Sequence, residues 1–494
     1  MVVKGVSGAG RATGHPSPTP TPSSPPRLVP DKSHTCERSR NATGSLSGAD
    51  RSTARDAALW SAADVEARME FSLASAYAHG TAALRTHLIN MTPAQVALTW
   101  PAFARVRDRW AGRVELQGVS LVALSHFRDA DAAAALADTV AAHGGILGAA
   151  VCCAENGGDP DDDWTTCDGD RDALLDRAFS LAAARSLDLD FHVDENGNRA
   201  ATGLVDVARA ALRCGFRGRV VCGHACSLAA LPAPALATAL AVVREAGVTV
   251  VSLPLVNEWT QDRDPAGRRA PRWRGVPPLL EVAAAGVRVA LASDNVRDQF
   301  YAYGDYDLLA VLARATSIAH LDAPHGAWPA AVTRTPADAM SLPHLGRLAP
   351  SLPAHFVAFR ARAFSELFAR PQSDRVVVRA GLAIAAELPE YDSLDAASSL
   401  APPRGFGAPS GGYAGRLSPA PSLANGGGLP GLPRGLEGGV TTDARALRRL
   451  PAVDEAGAPP RAPRAALAAA AAVGAAAGAA AAVVCMRARS GKWG

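Results

Sequence analysis

Residues 187–195 read LDLDFHVDE, a run in which apolar and polar side chains alternate and which ends on a histidine and two carboxylates. Alternation with a period of two predicts a β-strand from Leu187 to Val193. Six similar runs occur elsewhere, separated by longer Ala-, Leu- and Arg-rich stretches of helical period. These six predicted strands are Ala83 to Leu88, Val114 to Leu124, Ile146 to Val151, Arg219 to Gly223, Val248 to Leu253 and Val287 to Ser293.

Helical segments lie between the predicted strands. The segment Trp60 to Ala78 has Ser61 placed as its N-cap, and Asp170 to Ser186 carries one apolar stripe. Seven successive strand–helix units predict an α/β fold, a (β/α)8 TIM-like barrel that lacks its first strand. An open doubly wound sheet is the alternative, but it requires a glycine-rich phosphate turn after its first strand, which the sequence lacks. We therefore expect the barrel.

Polar side chains stand where the predicted strands end. The carboxyl ends of barrel strands share one face, and active sites are assembled there from single residues of several strands. One such histidine alone is more often a core or capped side chain, but repetition at six strand ends favours a functional cluster. The residues concerned are His87, His126, His192 with Glu195, His224, Asn257 and Asp294.

Composition restricts the classes of function and the compartment. The 494 residues are 48% hydrophobic, and 50 basic against 47 acidic side chains give a formal net charge of +3. Such a chain can bury a large core, but its charge provides no overall attraction to nucleic acid or anionic lipid. Eight cysteines do not form the dense framework of a small secreted domain, so we expect a cytoplasmic protein. An organelle is the alternative, because the first 30 residues contain no acidic side chain.

Glycine and proline divide the chain into segments. We predict a disordered or transit-like tail at 1–30, the barrel at 31–345, a small β appendage at 346–390, a Pro/Gly-rich linker at 391–464 and an Ala-rich tail at 465–494. Residues 465–486 form an uncharged run long enough to span a membrane. Most of that run is alanine, which is only marginally apolar, so membrane contact is the less favoured expectation.

The strand ends offer groups that bind a metal and move protons. His192 presents an imidazole, and Glu195 follows just past the strand. His224 ends the next strand in VVCGH, and Asp294 ends the last strand in LASDN. Two imidazoles, one carboxylate and a separate glutamate suit a divalent metal that lowers the pKa of bound water.

In their order and spacing, these motifs resemble the amidohydrolase superfamily, specifically its cytosine deaminase-like branch. The likeness rests on HVDE, GH, the segment VNEWTQDRDPAGRRAPRWRG (256–275) and SDN, and it extends over roughly residues 31–385. It implies one divalent metal ion, iron or zinc, and hydrolytic deamination of cytosine or a related ring. The implied partner is a small nucleobase-like molecule rather than nucleic acid. A homo-oligomer is compatible with the sequence, which does not fix the oligomeric state.

The resemblance also implies residue roles. His192, Asp294 and His224 would lie at the metal, where Asp294 would take a proton from the attacking water. Glu195 would carry a proton to the ring nitrogen, and His224 would stabilise the attacking hydroxide. The substrate pocket would be completed by His126, Asn295, Phe300, Asn257 and Gln261.

One part of the family pattern is missing. The family's first strand ends in a His-x-His pair just upstream of an Asp-Lys-x-His stretch, which survives here as residues 31–34, but Arg27 to Pro30 contain no histidine. Either the natural chain begins upstream, or the protein has lost half of its ligands, with His15 and His34 as substitutes. Two alternatives therefore accompany the deaminase: an amide or cyclic-amide hydrolase on the same scaffold, and a non-catalytic truncated relative.

Overall fold

The computed structural model describes residues 2–4, 30–151, 169–264 and 266–395. Within these ranges, eight strands form one parallel sheet whose order in space follows their order in the chain. They are β1 (Val2–Lys4), β2 (Ala83–Ile89), β3 (Glu115–Ala123), β4 (Leu147–Val151), β5 (Leu189–Val193), β6 (Val220–His224), β7 (Thr249–Ser252) and β8 (Arg288–Leu291). The seven predicted strands are β2 to β8, so the α/β barrel is confirmed.

The position of the missing first strand is occupied by β1. Its three residues pair in parallel with the start of β2, from Val2 opposite Ala83 to Lys4 opposite Arg85. Sequence analysis assigned these residues to the tail, because three residues are too few to show a period. The segment contains no histidine, so it does not supply the His-x-His pair.

Helices alternate with the strands as the periodicity predicted. Those in the described ranges are α1 (Leu46–Ala57), α2 (Ala62–Ala78), α3 (Pro93–Trp110), α4 (Ala130–Ala142), α5 (Arg171–Ala184), α6 (Gly203–Arg213), α7 (Ala233–Glu245), α8 (Pro254–Thr260), α9 (Leu279–Ala284), α10 (Leu308–Ala319), α11 (Arg334–Ala339) and α12 (Phe364–Phe368). The helix α2 begins at the predicted N-cap, where the Ser61 hydroxyl accepts a hydrogen bond from the Asp64 N–H at 3.2 Å.

A small antiparallel sheet follows the barrel. It contains β9 (Phe356–Ala358), β10 (Val376–Arg379) and β11 (Leu382–Ala383), with β10 in the centre. Arg375 ties it to the barrel through Asp307, at 2.6 and 2.8 Å. No helix in the described part of the chain is long and apolar enough to cross a membrane. The predicted linker from residue 396 onward and the run 465–486 lie outside the described residues.

A buried polar network closes the lower end of the barrel, where the strands begin. Arg85 donates to Asp190 at 3.0 Å, to Gln117 Oε1 at 2.9 and 3.1 Å, and to the carbonyl of Ala339 at 3.1 Å. Gln117 in turn donates to the carbonyl of Met340 at 2.7 Å. The last residue of α11 and the residue after it therefore seal this end, and a site is left for the upper end, where the strands finish.

Candidate active site

Three strand ends at the upper end of the barrel have an uncommon backbone conformation. The angle φ is positive at Asp194 (51°) after β5, at His224 (75°) and Ala225 (52°) at the end of β6, and at Asp294 (62°) after β8. A positive φ in such residues costs roughly 1–3 kcal/mol and is concentrated at functional sites. Four of the thirteen positive-φ residues other than glycine in the described part of the chain thus fall at the strands that carry the predicted metal and proton-transfer residues.

Two of the predicted histidines are neighbours. His192 on β5 and His224 at the end of β6 are buried, and their ring centroids are 5.3 Å apart. The β5–β6 register explains this, because it sets His192 opposite Gly223 and Val193 opposite His224.

His87 differs from its prediction, because it does not end its strand. The strand β2 continues to Ile89, so His87 lies within it, and its ring meets that of His192 edge-on at 4.5 Å. His87 Nε2 is 3.1 Å from Asp190 Oδ1. This histidine therefore links His192 to the buried network at the lower end of the barrel.

Glu195 is held by side chains of α8 and its C-terminus. Asn257 Nδ2 donates to Glu195 Oε1 at 3.3 Å and lies 2.9 Å from His224 Nδ1. Glu195 Oε2 lies 3.7 Å from the same His224 nitrogen. Gln261 donates to the backbone carbonyl of Glu195 at 3.0 Å. One buried carboxylate, one imidazole and one amide are thus in mutual contact, and Gln261 holds the backbone beneath them.

The segment after β8 carries three predicted residues, of which Asp294 and Asn295 are buried just past the strand. Asn295 donates to Asp298 at 2.6 Å, and Asp298 also accepts from the backbone N–H groups of Phe300 and Tyr301. Burial raises the pKa of Asp298 to about 6, although Lys32, Asn295 and these N–H groups oppose the shift.

Phe300 is fully buried and belongs to a cluster with Leu46, Ala49 and Val256. The Lys32 ammonium lies 3.3 Å from the centroid of its ring. In this structure one face of the Phe300 ring is therefore covered by a cation. Stacking of Phe300 on a substrate ring stays a prediction.

His126 lies in the 3₁₀ turn Leu124–Arg128 that follows β3. Burial lowers the pKa of its imidazole, which favours the neutral ring. Its Nε2 atom is buried and has no hydrogen-bond partner within the described residues. A neutral imidazole nitrogen suits a polar ring ligand, and the place of His126 in the substrate pocket stays a prediction.

Sequence analysis missed Asp194, the first acidic residue of HVDE. Its carboxylate accepts from the N–H groups of Gly203 and Leu204, both at 2.9 Å, and so fixes the start of α6. A Cβ atom at position 203 would approach Asp194 Oδ1 to 2.6 Å, so glycine is required there. Burial raises the pKa of Asp194 to about 6. The adjacent pair of carboxylates in HVDE was the available signal, because two neighbouring acids need not serve the same function.

Residues 30–36 dock against the upper end of the barrel. Asp31 accepts from the N–H of Ile89 at 2.9 Å, and the N–H of Cys36 donates to the carbonyl of Arg297 at 3.0 Å. His34 turns away toward α2, where its ring packs on Phe71 at 4.5 Å and Nε2 lies 3.2 Å from the Ser72 hydroxyl. His15 lies outside the described residues.

A parallel barrel with histidine, glutamate and aspartate at the ends of β5, β6 and β8 defines a hydrolase of the amidohydrolase type. Residues 124–387 match the sequence model described as the amidohydrolase family, and the chain belongs to this family. The superfamily prediction is thereby confirmed. The chain is 45% identical over 366 residues to a pterin deaminase from Rhizobium rhizogenes strain K84, which covers 74% of this chain and 80% of that protein.

Two solved structures share the fold. The 5-methylcytosine deaminase from Klebsiella pneumoniae liganded with 5-fluorocytosine superposes with a TM-score of 0.62 at 20% identity, over 74% of this chain and 87% of that one. The N-isopropylammelide isopropylaminohydrolase from Burkholderia multivorans superposes with a TM-score of 0.53 at 26% identity, over 65% and 75%. The relative at 45% identity is a pterin deaminase, so these matches do not single out the cytosine deaminase-like branch.

Deaminases of this family typically use a divalent metal such as zinc or iron. The donor types of His192, His224 and Asp294 suit such an ion. Among the described residues, however, no three His, Cys, Asp or Glu side chains are positioned together as a metal site requires. The predicted ligand set does not fit a metal ion in this arrangement, and no step below passes through one.

Proposed function

We propose that this protein hydrolytically deaminates an aminated nitrogen heterocycle, with a pterin as the first substrate to test and cytosine as the second. In this reaction water adds to the ring carbon that carries the amine, ammonia leaves, and a carbonyl replaces the amine. The 45% identity to a pterin deaminase supports a pterin, and the shared fold with a liganded 5-methylcytosine deaminase is compatible with a smaller ring.

The contact between Glu195, His224 and Asn257 carries this proposal. Loss of ammonia requires a proton on the leaving amine, and a buried carboxylate beside an imidazole is suited to deliver it. Asn257 holds the Glu195 carboxylate, and Gln261 holds the Glu195 backbone. Each of these groups is buried, so bulk water does not compete for the proton.

Pterin and cytosine share the part of the ring that such a site would read. In both, the carbon that bears the amine is followed by a ring nitrogen and then by a carbonyl. The site therefore needs a proton donor at the amine and a hydrogen-bond donor at the carbonyl. A cyclic-amide hydrolase would use the same Glu195 but would open the ring, so the product distinguishes that alternative.

The test is ammonia release from pterin and cytosine by the full 494-residue chain, in three separate reactions: without added metal, with added zinc and with added iron. We expect ammonia and the ring carbonyl product, and a Glu195→Gln variant that turns over about 10² to 10⁴ times more slowly with an unchanged circular dichroism spectrum. Glu66→Gln on α2 is the matched control, since its arginine partners lie on the barrel exterior.

Three outcomes would contradict the proposal in different ways. No ammonia from either ring, with or without added metal, would exclude the deaminase function. An opened ring instead of a deaminated one would establish the cyclic-amide alternative. Turnover by Glu195→Gln within a factor of about three of the wild type would remove Glu195 from proton transfer.

A further inference from the structure

Lysine is almost absent from this chain. Only Lys4, Lys32 and Lys492 occur among the 50 basic side chains, so every cation from residue 33 to residue 491 is an arginine. Arginine presents a planar fork of five donors, whereas lysine presents one compact ammonium. A lysine at a buried position in such an arginine-rich chain therefore indicates a place that suits the compact group.

Lys32 occupies such a position. It is fully buried, and its Nζ has no hydrogen-bond partner among the described residues. The nearest aromatic face is that of Phe300, 3.3 Å from Nζ to the ring centroid. A buried ammonium that makes no hydrogen bond is costly, because three donors have lost water and gained no acceptor.

The surroundings of Lys32 are acidic. Burial lowers the pKa of Lys32, and attraction to Asp298, Asp50, Asp31 and Asp294, in decreasing order, opposes that shift. Asp294 is one of the predicted catalytic residues, and Phe300, which the Lys32 Nζ covers, is one of the predicted substrate-pocket residues. These carboxylates offset the cation and leave little net positive charge to attract a phosphate. The ligand that fits is a neutral group with an oxygen acceptor.

The backbone of Lys32 is fixed on both sides. The Thr35 hydroxyl donates to the carbonyl of Lys32, and the Arg68 guanidinium donates to the carbonyl of Asp31. The Asp31 carboxylate accepts from Ile89 at the end of β2. The ammonium is thus preorganised by contacts that do not use its own donors, as in sites whose donors face a ligand.

We propose that Lys32 is a substrate-binding residue whose Nζ donates to the ring carbonyl separated by one ring nitrogen from the carbon that bears the amine. This inference rests on the proposed function and adds the group that reads the carbonyl. When water adds to the amine-bearing carbon, electron density moves through the ring nitrogen onto that oxygen. An ammonium beside the oxygen stabilises the addition step as well as the bound ring.

The test compares two rings that differ only in this oxygen. Pterin carries the carbonyl, and 2-aminopteridine lacks it. We expect the full-length protein to bind pterin at least about tenfold more tightly in a fluorescence titration, and Lys32→Met to bind the two rings with equal affinity. Lys32→Arg should also lose the discrimination, because the planar fork cannot replace the ammonium. The control is Arg113→Met, which removes an exposed cation lying over Trp110 at 4.0 Å.

A spectroscopic measurement makes the result independent of turnover. Protein labelled with ¹⁵N-lysine contains only three lysine Nζ atoms, and the Lys32→Met variant identifies the Lys32 signal. We expect pterin, but not 2-aminopteridine, to shift that signal. Lys32→Met with wild-type discrimination would overturn the inference, as would an equal loss of affinity for both rings or a wild type that binds neither.

The inference and the proposed function fail separately. A wild type that releases ammonia while Lys32→Met keeps its preference for pterin would overturn only the role of Lys32. A wild type that binds pterin through Lys32 and releases no ammonia would overturn only the reaction.

Discussion

Arg85 and Lys32 are both buried cations of this barrel, but they lie at opposite ends. Arg85 at the lower end donates to a carboxylate, an amide oxygen and a backbone carbonyl, all between 2.9 and 3.1 Å. Lys32 at the upper end makes no such bond within the described residues. A buried cation whose donors are filled by the protein stabilises the fold, whereas one whose donors are not filled is available to a ligand.

The two ends also differ in the kind of segment that carries the partners of the buried cation. Arg85 meets Asp190 and Gln117 on barrel strands, so the sheet register places the network. Lys32 lies over Phe300 because the segments that carry them, both outside the barrel strands, dock on each other through backbone hydrogen bonds from His34 and Cys36. The lower end therefore belongs to the scaffold, and the upper end can vary among barrels with different substrates.

The largest effect should come from breaking the lower network. Arg85→Met leaves the Asp190 carboxylate buried without its guanidinium partner, which is expected to lower the free energy of unfolding by about 3–5 kcal/mol. Urea unfolding followed by circular dichroism measures the change. In the double variant Arg85→Met with Asp190→Asn, part of the loss should be recovered, since the buried charge is gone. A cost below about 1 kcal/mol would show that the network does not hold the barrel closed.

The second largest effect concerns how the free energy of unfolding depends on pH. Asp298 is expected to contribute about 3 kcal/mol to this dependence over its full titration. The pKa of this carboxyl is about 6 in the folded protein, above its usual value of 3.8, because burial disfavours the anion. Between these values the folded state holds the proton and the unfolded state has released it, so stability falls as pH rises. Asp298→Asn removes the contribution and keeps an oxygen for the Phe300 and Tyr301 N–H groups.

Urea unfolding of the wild type and of Asp298→Asn at pH 4 and pH 7 measures this contribution. Relative to the variant, the wild type should lose about 2 kcal/mol of unfolding free energy between the two pH values, since the unfolded-state carboxyl is still partly protonated at pH 4. If the stabilities of the wild type and Asp298→Asn changed with pH in parallel, Asp298 would be as ionised in the folded state as in the unfolded one. The Asp298 carboxylate would then be a stronger partner of Lys32 than the geometry indicates.

The scaffold could be predicted from the sequence because its signals are local. All seven long strands, the Ser61 cap and the strand-end positions of His192, His224 and Asp294 follow from periodicity and from the shared face of a barrel. The resemblance named the family correctly on motifs at those same strand ends.

The remainder depends on contacts between distant parts of the chain. Lys32 lies 268 positions from Phe300, and no local pattern indicates that the two meet. His87 was predicted at the end of its strand, but it lies within β2, because the predicted strand ended at Leu88 and the observed one continues to Ile89. Asp194 and Glu195 are adjacent acids, and only the structure shows that the first caps α6 while the second faces His224. The scarcity of lysine and the Asp-Lys-x-His stretch at residues 31–34 were both visible in the sequence, but neither shows what the Lys32 side chain contacts.

The smallest effect is expected for Arg113→Met. This variant distinguishes an ammonium that binds a substrate from a cation that only covers an aromatic ring. Arg113 lies over Trp110 at 4.0 Å on the exterior of the barrel, much as Lys32 lies over Phe300. Because the Arg113 guanidinium is exposed to water, Arg113→Met should cost no more than about 1 kcal/mol in urea unfolding and leave ammonia release unchanged. If this variant also lost the preference for pterin over 2-aminopteridine, the effect at Lys32 would reflect a general disturbance of the fold. If Arg113→Met kept the preference for pterin and Lys32→Met lost it, recognition of the ring carbonyl would lie at the upper end of the barrel.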